Sequence, residues 1–447
     1  MQLLEETKSL CPSCMQVISA QIYTEADKVF MGKECPTHGF FEALLWNGYN
    51  LYQESFRFAD RRVVTPVAEC AASVEKGCPY DCGLCPEHEQ HTCLAIFEVT
   101  DRCNLNCPVC ISSDPKTSED PTLEQIRYAL KELLRCEGRP TPIQFSGGEP
   151  TVRHDLADAI RIAKDFGFEI IEIDTNGIEL AKNPKLAKEL ANAGLTGIYL
   201  SFDGFTKEVY ETLKGVDLLS FKKKAIDGAK KAGLEIALAP TIVKGVNDYQ
   251  LWQIIEYAIK CDLKGVNFQP FAASGRFSLN LFNPMDRFTL PDAINGIVTQ
   301  SGGQLKPEDF IFMPCQDNRC ATLTYLIIKN DKIQPLNRIV EAGKMLRHYA
   351  DSAGFEDVLC TTKEVLCETN TSERSCCSAP LDILQGQYFT IGCHGLQDIW
   401  TFDLNRVRKC CVHELTVKGT LVPFCLYSIT NQNGETLYRG KEFKNFK

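Results

Sequence analysis

The sequence predicts an α/β protein built on a curved, partial (β/α)6 barrel with cysteine-rich metal-binding extensions at both ends. Three observations predict it. Six apolar, strand-like runs alternate with amphipathic helical patterns; the runs recur without the long pause that would divide an open, doubly wound sheet; and most of the 23 cysteines of the 447-residue chain lie outside the middle block. Alternating β–α units call for a parallel sheet with right-handed crossovers, and their unbroken recurrence favours a partial barrel of the TIM-like kind.

The runs are residues 94–99, 142–145, 169–174, 197–201, 235–240 and 265–269. The segment after the first, PTLEQIRYALKELLRC, repeats Leu123, Ile126, Leu130 and Leu133 at spacings of three and four, and Thr122 with Gln125 fits a capping box. Cysteine density divides the chain into a metal ribbon (1–60), an auxiliary cluster segment (61–93), the barrel (94–300) and a C-terminal auxiliary cluster block (301–447). On a barrel of this kind chemistry sits at the C-terminal ends of the strands, where the motifs below fall.

Composition excludes several classes. A 44% apolar content supplies a core without disulfide stapling, and the sequence lacks the charged start, apolar run and small-residue cleavage site of a secretory leader, so reduced thiols in a cytoplasmic setting are expected. The formal charge of -10 argues against a nucleic-acid partner; the basic stretch 221–233 reads as a solvated helix face. No apolar run approaches a transmembrane span.

The first run ends in TDRCNLNCPVC, which contributes Cys103, Cys107 and Cys110. Three thiolates can hold three irons of a cubane and leave the fourth open to a small molecule, whereas tetrahedral zinc needs four ligands. The second run ends in FSGGEPTVR. Gly147 and Gly148 would let backbone approach a ligand and offer amides, and Glu149 a carboxylate for an ammonium group.

Outside the barrel, Cys11, Cys14, Cys35 and His38 have ribbon-like spacing that suits zinc, or a rubredoxin-like iron if another cysteine replaces the histidine. Cys78, Cys82, Cys85 and Cys93 could fill an auxiliary cubane, with Cys70, His88 and His91 as competing ligands. Cys315, Cys320, Cys411 and Cys425 suit one further cluster, with Cys410 as the alternate and structural zinc as the other option. The pair Cys376-Cys377 is either a thiol-exchange element or an incidental feature of a Ser/Thr-rich loop.

The CxxxCxxC loop followed by GGEP resembles the radical S-adenosylmethionine (SAM) superfamily over about residues 94–290. The resemblance implies the radical SAM type of barrel, with Cys103, Cys107 and Cys110 ligating a catalytic [4Fe–4S] cluster whose open iron holds SAM. It implies reductive cleavage to a 5′-deoxyadenosyl radical that takes hydrogen from substrate, and contact of Gly147, Gly148, Glu149 and Pro150 with the methionine moiety. Ser201 and Asp203 are placed for a ribose hydroxyl, and Thr175, Asn176 and Thr241 line the same mouth. One departure is Val109, where the family usually has an aromatic residue.

The full layout, with CPSC, CPTHG, CPYDCGLCPEH, RKCCVHE and VPFC, resembles the group containing tetraether lipid synthase and pterin-linked methyltransferases. That implies one or two auxiliary [4Fe–4S] clusters, a zinc or rubredoxin-like iron, a ferredoxin, flavodoxin or reductase as electron donor, and C–C coupling or C-methylation of an unidentified lipid- or pterin-like substrate. A lipid substrate would add a peripheral membrane contact. The competing classes are a radical peptide or thiol maturase and a non-catalytic iron–sulfur carrier or zinc scaffold; GGEP with Ser201 and Asp203 counts against the carrier.

Overall fold

The computed structural model describes residues 1–57, 59–61, 67–69, 72–112, 120–339 and 386–440, so the proposals for Cys70 and for Cys376-Cys377 fall outside the described residues. The chain opens with a four-stranded antiparallel meander: β1 (Gln2–Leu10), β2 (Val17–Glu25), β3 (Lys28–Cys35) and β4 (Gly39–Asn47), followed by a short helix, α1 (Tyr49–Ser55). Cys11 and Cys14 stand in the β1–β2 turn, Cys35 ends β3 and His38 stands in the β3–β4 turn. The meander therefore brings two distant ligand pairs to one end of the sheet.

The barrel strands follow as β5 (Leu94–Thr100), β6 (Ile143–Gly147), β7 (Ile171–Thr175), β8 (Gly197–Ser201), β9 (Glu235–Ala239) with its short continuation β10 (Thr241–Ile242), and β11 (Gly265–Pro270). β5 to β9 and β11 lie side by side in chain order, every pairing parallel, and the order does not close on itself. This is the partial barrel the alternating pattern predicts.

Helices α2 (Leu123–Glu137), α3 (Leu156–Asp165), α4 (Ile178–Lys182), α5 (Leu186–Ala193), α6 (Lys207–Lys214), α7 (Leu219–Ala232), α8 (Leu251–Lys260) and α9 (Leu290–Gln300) connect or follow the strands. The expected capping box at α2 is formed: the Gln125 amide donates to Thr122 Oγ1 at 3.2 Å, and the Thr122 amide to Gln125 Oε1 at 2.8 Å. Phe97, Phe145, Ile173, Leu200, Leu238 and Phe268 are buried in the main apolar core, together with α2 residues such as Ile126 and Leu130. Side chains on the alternate positions, including Gln144, Glu172, Asp174, Tyr199 and Gln269, belong to the other face. A parallel strand covered by apolar groups on both faces would read as a continuous apolar run. These strands do not, because one face lines a polar interior.

The C-terminal block extends both edges of this sheet. On one side β15 (Gln387–His394) runs parallel to β11 and antiparallel to β13 (Ala321–Lys329), which also pairs with β12 (Ile311–Phe312) and β14 (Lys332–Pro335). After α10 (Leu404–Arg408), β16 (Val412–Leu415) runs parallel to β5 on the far edge and pairs with β17 (Leu421–Pro423), which leads into a last turn of helix, α11 (Phe424–Tyr427).

Candidate active site

A cavity of about 180 Å³ opens at the C-terminal ends of the barrel strands. Its lining includes Cys103, Cys107, Cys110, Gly147, Gly148, Glu149, Thr175, Asn176, Ser201 and Thr241. Residues taken from five strand ends are thus assembled around one space. Pro150 and Asp203 do not line it.

The Gly-Gly pair has a different first duty from the one its sequence suggests. A Cβ on Gly147, whose φ is +125°, would stand 2.2 Å from the Thr100 carbonyl oxygen, and one on Gly148 would stand 2.3 Å from that of Arg102. The Gly148 amide donates to Thr100 at 2.7 Å and the Glu149 amide to Arg102 at 2.9 Å. These amides are engaged by the strand end that carries the cysteine loop, so the pair seats that loop by close backbone approach.

Glu149 is buried and its carboxylate is well supplied with donors. It accepts from the Thr151 amide at 3.2 Å, from Thr175 Oγ1 at 2.7 Å, from the Asn176 amide at 2.6 Å and from the Thr151 hydroxyl. Burial raises its pKa while these donors oppose the rise. The residue ties the loop after β6 to the loop after β7. Asn176 in turn donates from Nδ2 to Asn104 Oδ1 in the cysteine loop at 2.8 Å.

Asp203 also plays a positioning part. Fully buried, it accepts from the Thr241 amide at 3.0 Å and pairs with Lys214 Nζ at 3.3 Å, leaving Ser201, Thr241 and Lys214 as the groups that reach the cavity. Lys222, also buried, donates to the Asn176 carbonyl at 2.7 Å, and burial holds its ammonium down to about 8.

The three cysteines fit a cationic cluster. All line the cavity, and the Leu105 amide donates to Cys103 Sγ at 3.4 Å. Burial pushes the Cys103 thiol up to about 11 and raises Cys107, so the thiolates need positive charge close by. Lys214 supplies part of it to Cys107, and a bound cluster would supply the rest. Gly275 lets the chain return against this loop: a Cβ there would meet the Cys110 carbonyl at 2.3 Å, and Cys110 and Arg276 exchange backbone hydrogen bonds at 2.9 Å. Arg439, from the C-terminal segment, donates to the Ile111 carbonyl at 2.7 Å and pairs with Glu98 in the barrel.

At the N-terminal sheet, the four ligand atoms of Cys11, Cys14, Cys35 and His38 lie within 4.8 Å of one another, a single-ion geometry. His38 Nδ1 is 3.4 Å from Cys35 Sγ and 3.7 Å from Cys11 Sγ, and it draws the Cys35 thiol down to about 6.

The described cysteines outside the barrel loop and the ribbon that were proposed as auxiliary ligands have neighbours their sequence grouping did not anticipate. Cys78 and Cys82 are in hydrogen-bond contact, with Cys85 close enough to act on Cys82. Cys93, grouped with them by sequence, is in contact with Cys411, which is in contact with Cys315. The cause is strand pairing: Cys93 precedes β5 and Cys411 precedes β16, and these strands align Leu94 with Val412. Cys410, the alternate by sequence, feels the charges of Cys425 and Cys320.

Asp174, Tyr199, Lys214, Gln269, Phe271 and Leu396 also line the cavity and were missed by motif reading. A signal for Asp174 was present: in IEIDT the two acids stand at i and i+2, on one face of a barrel strand.

Two family models match the chain: "Radical SAM superfamily" over residues 97–258 and "HMPTM N-terminal zinc ribbon domain" over residues 3–47. The 7,8-dihydro-6-hydroxymethylpterin dimethyltransferase of Methanocaldococcus jannaschii is 34% identical over 95% of this chain and 93% of its own length. A GTP 3',8-cyclase of Erythrobacter litoralis is 34% identical over 36% of this chain and 49% of its own length. Among solved structures, Streptococcus suis SuiB bound to S-adenosylmethionine aligns over 47% of this chain and 48% of its own, at 14% identity and a TM-score of 0.37. With the cysteine loop, the GGEP segment and near-full-length similarity to a curated relative in place, the chain belongs to the radical SAM superfamily, in the family of the hydroxymethylpterin dimethyltransferase.

Proposed function

We propose that this radical SAM enzyme forms carbon–carbon bonds by placing methyl groups on a 7,8-dihydro-6-hydroxymethylpterin-like substrate. The observation that carries the proposal is the 34% identity maintained across 95% of the chain, cysteine-rich ends included, to an enzyme of that activity. The match to a GTP 3',8-cyclase covers only 36% of this chain. Guanine and pterin nonetheless share a 2-amino-4-oxopyrimidine ring, which makes both sets of relatives consistent with a nitrogen heterocycle in the barrel.

In this family a [4Fe–4S] cluster supplies the electron that cleaves SAM and so provides a carbon-centred radical. Cys103, Cys107 and Cys110 would hold that cluster. Glu149 holds the loops after β6 and β7 together, and Asn176 ties the second of these to the cysteine loop. Lys214 brings positive charge toward the cysteine loop, while Asp203 keeps that lysine and the Thr241 amide in place. Ser201 and Thr241 offer hydroxyls on the same wall for the polar parts of SAM. The apolar side chains of Leu105, Val109, Phe271 and Leu396 line other parts of the cavity and help exclude water from a reactive carbon centre.

The ribbon set of Cys11, Cys14, Cys35 and His38 is assigned to zinc, with a rubredoxin-like iron as the competing metal. The sets Cys78/Cys82/Cys85, Cys93/Cys315/Cys411 and Cys320/Cys410/Cys425 are candidates for auxiliary iron–sulfur ligation. They would relay electrons from an external donor.

Anaerobic incubation of the iron-loaded protein with SAM, reductant, the dihydropterin and a one-carbon donor tests the proposal. A product heavier by one or two methylene units, formed together with 5′-deoxyadenosine, is expected. SAM labelled in its methyl group distinguishes SAM from a separate methyl source. Unchanged pterin under conditions that still yield 5′-deoxyadenosine would refute it.

A further inference from the structure

The cavity wall carries one acid that the positioning network leaves alone. Asp174 lies on β7, half-buried, on the same face as Glu172, and its carboxylate makes no hydrogen bond or ion pair among the described residues. The acids around it are engaged. Glu149 takes hydrogen bonds from Thr151, Thr175 and Asn176; Asp203 is held by Lys214 and Thr241; and Glu172 accepts from Gln144 Nε2 at 3.2 Å. Beside Asp174 in the lining, Tyr199 Oη accepts from Gln269 Nε2 at 2.9 Å, so these two side chains of the wall are fixed relative to each other.

An ionised carboxylate withdrawn from water without partners is costly, and the cost is relieved when a ligand brings donors to it. The carboxylate has two oxygens in one plane, a shape matched by two parallel N–H groups on one edge of a planar ring. A 2-amino-4-oxopyrimidine ring has such an edge in its 2-amino group and adjacent ring N–H. The apolar side chains of Leu105, Val109, Phe271 and Leu396 suit the faces of a flat heterocycle in the same cavity.

We infer that Asp174 is the substrate-reading residue of this enzyme, accepting both hydrogen bonds from the 2-amino and ring N–H edge of the pterin while Tyr199 and Gln269 border the ring. The inference rests on the pterin reading above and adds to it the group that recognises the ring. The charged and titratable groups acting on Asp174 are Glu149 and Glu172, which disfavour its ionisation, and Lys214 and Lys222, which favour it; burial outweighs the lysines and pushes the carboxyl up to about 7. A free carboxyl poised at that value is one that donors in a ligand can convert fully to the anion.

The test is equilibrium binding to anaerobic, cluster-loaded, SAM-saturated full-length protein. The probes are 7,8-dihydro-6-hydroxymethylpterin and its analogue with oxygen in place of the 2-amino group. The wild type should prefer the amino compound. Asp174→Asn should weaken its binding by on the order of 10- to 100-fold, as expected for a lost charged double hydrogen bond, and should abolish the preference between the two compounds. SAM affinity should be unchanged, which also reports that the variant is folded. Equal affinity of variant and wild type for the amino compound would overturn the assignment alone, as would a matching loss of SAM affinity, which would put the carboxylate on the cofactor. The wild-type comparison of the two compounds needs no variant, and indifference there overturns the assignment as well. Failure of the wild type to bind either compound would overturn the pterin reading itself and the assignment with it.

Discussion

Glu149, buried, and Asp174, half-buried, are acids about one strand apart, and they differ in their partners. Donors surround the first, so its carboxylate serves as a structural knot between two loops. The second has none among the described residues, and burial with the neighbouring Glu149 charge lifts it to about 7. Below that pH the group carries a proton and presents a donor toward the ligand's own donors; above it the anion accepts both. Pterin affinity should therefore rise from about pH 6 to about pH 8 and level off, with the slope absent in Asp174→Asn. A flat profile in the wild type would separate Asp174 from ligand binding. Motif reading found Glu149 and missed Asp174, since a motif marks what is common to a superfamily, whereas a substrate contact follows only from which face of IEIDT turns inward.

At the level of elements, local pattern was sufficient for the strands and for the α2 cap, because hydrophobic period and capping chemistry are properties of neighbouring residues. The metal-ligand sets divide along the same line. Cys11, Cys14, Cys35 and His38 were legible because two adjacent turns of one meander bring them together. Cys93 was grouped by sequence with Cys78, Cys82 and Cys85; its neighbour Cys411 was not legible because it arrives through the β5–β16 pairing, more than 300 residues further along the chain. A second long-range joint is the buried ion network around Arg319. This guanidinium reaches Asp317 at 2.7 Å, Glu5 at 3.0 Å and Asp403 at 3.2 Å, and Asp403 also accepts from Thr7 at 2.7 Å. It fastens β1 of the ribbon to the chain before β13 and to the start of α10. Arg319→Leu leaves buried carboxylates without their cation and should destabilise the protein by about 3–5 kcal/mol, measured as a lowered denaturant midpoint. A midpoint unchanged from wild type would show that Arg406 and Lys409, which approach Asp317 at 3.9 and 3.7 Å, carry the network alone.

Across the whole molecule, the N- and C-terminal blocks are built into the barrel. Strands from the C-terminal block lengthen the sheet at both edges, and residues near the C-terminal end of the described chain reach the cysteine loop and the segment packed on it, with Arg439 on Ile111 and Thr430 Oγ1 accepting from the Gly275 amide at 2.9 Å. Among the described residues no helix is long and apolar enough to cross a membrane. The alternative of a non-catalytic carrier gives way to an enzyme on two grounds: a cavity walled by three cysteines, Gly147, Gly148, Glu149 and Asn176, and near-full-length similarity to a methyltransferase. The central claim is that catalysis is centred on Cys103, Cys107 and Cys110 and is separable from the other cysteine sets. Its most direct test is Cys107→Ala, assayed anaerobically for 5′-deoxyadenosine alongside iron, sulfide and zinc counts. Loss of SAM cleavage and of up to one cluster's worth of iron and sulfide is expected, with zinc and the remaining iron retained. Formation of 5′-deoxyadenosine at the wild-type rate in that variant would contradict it.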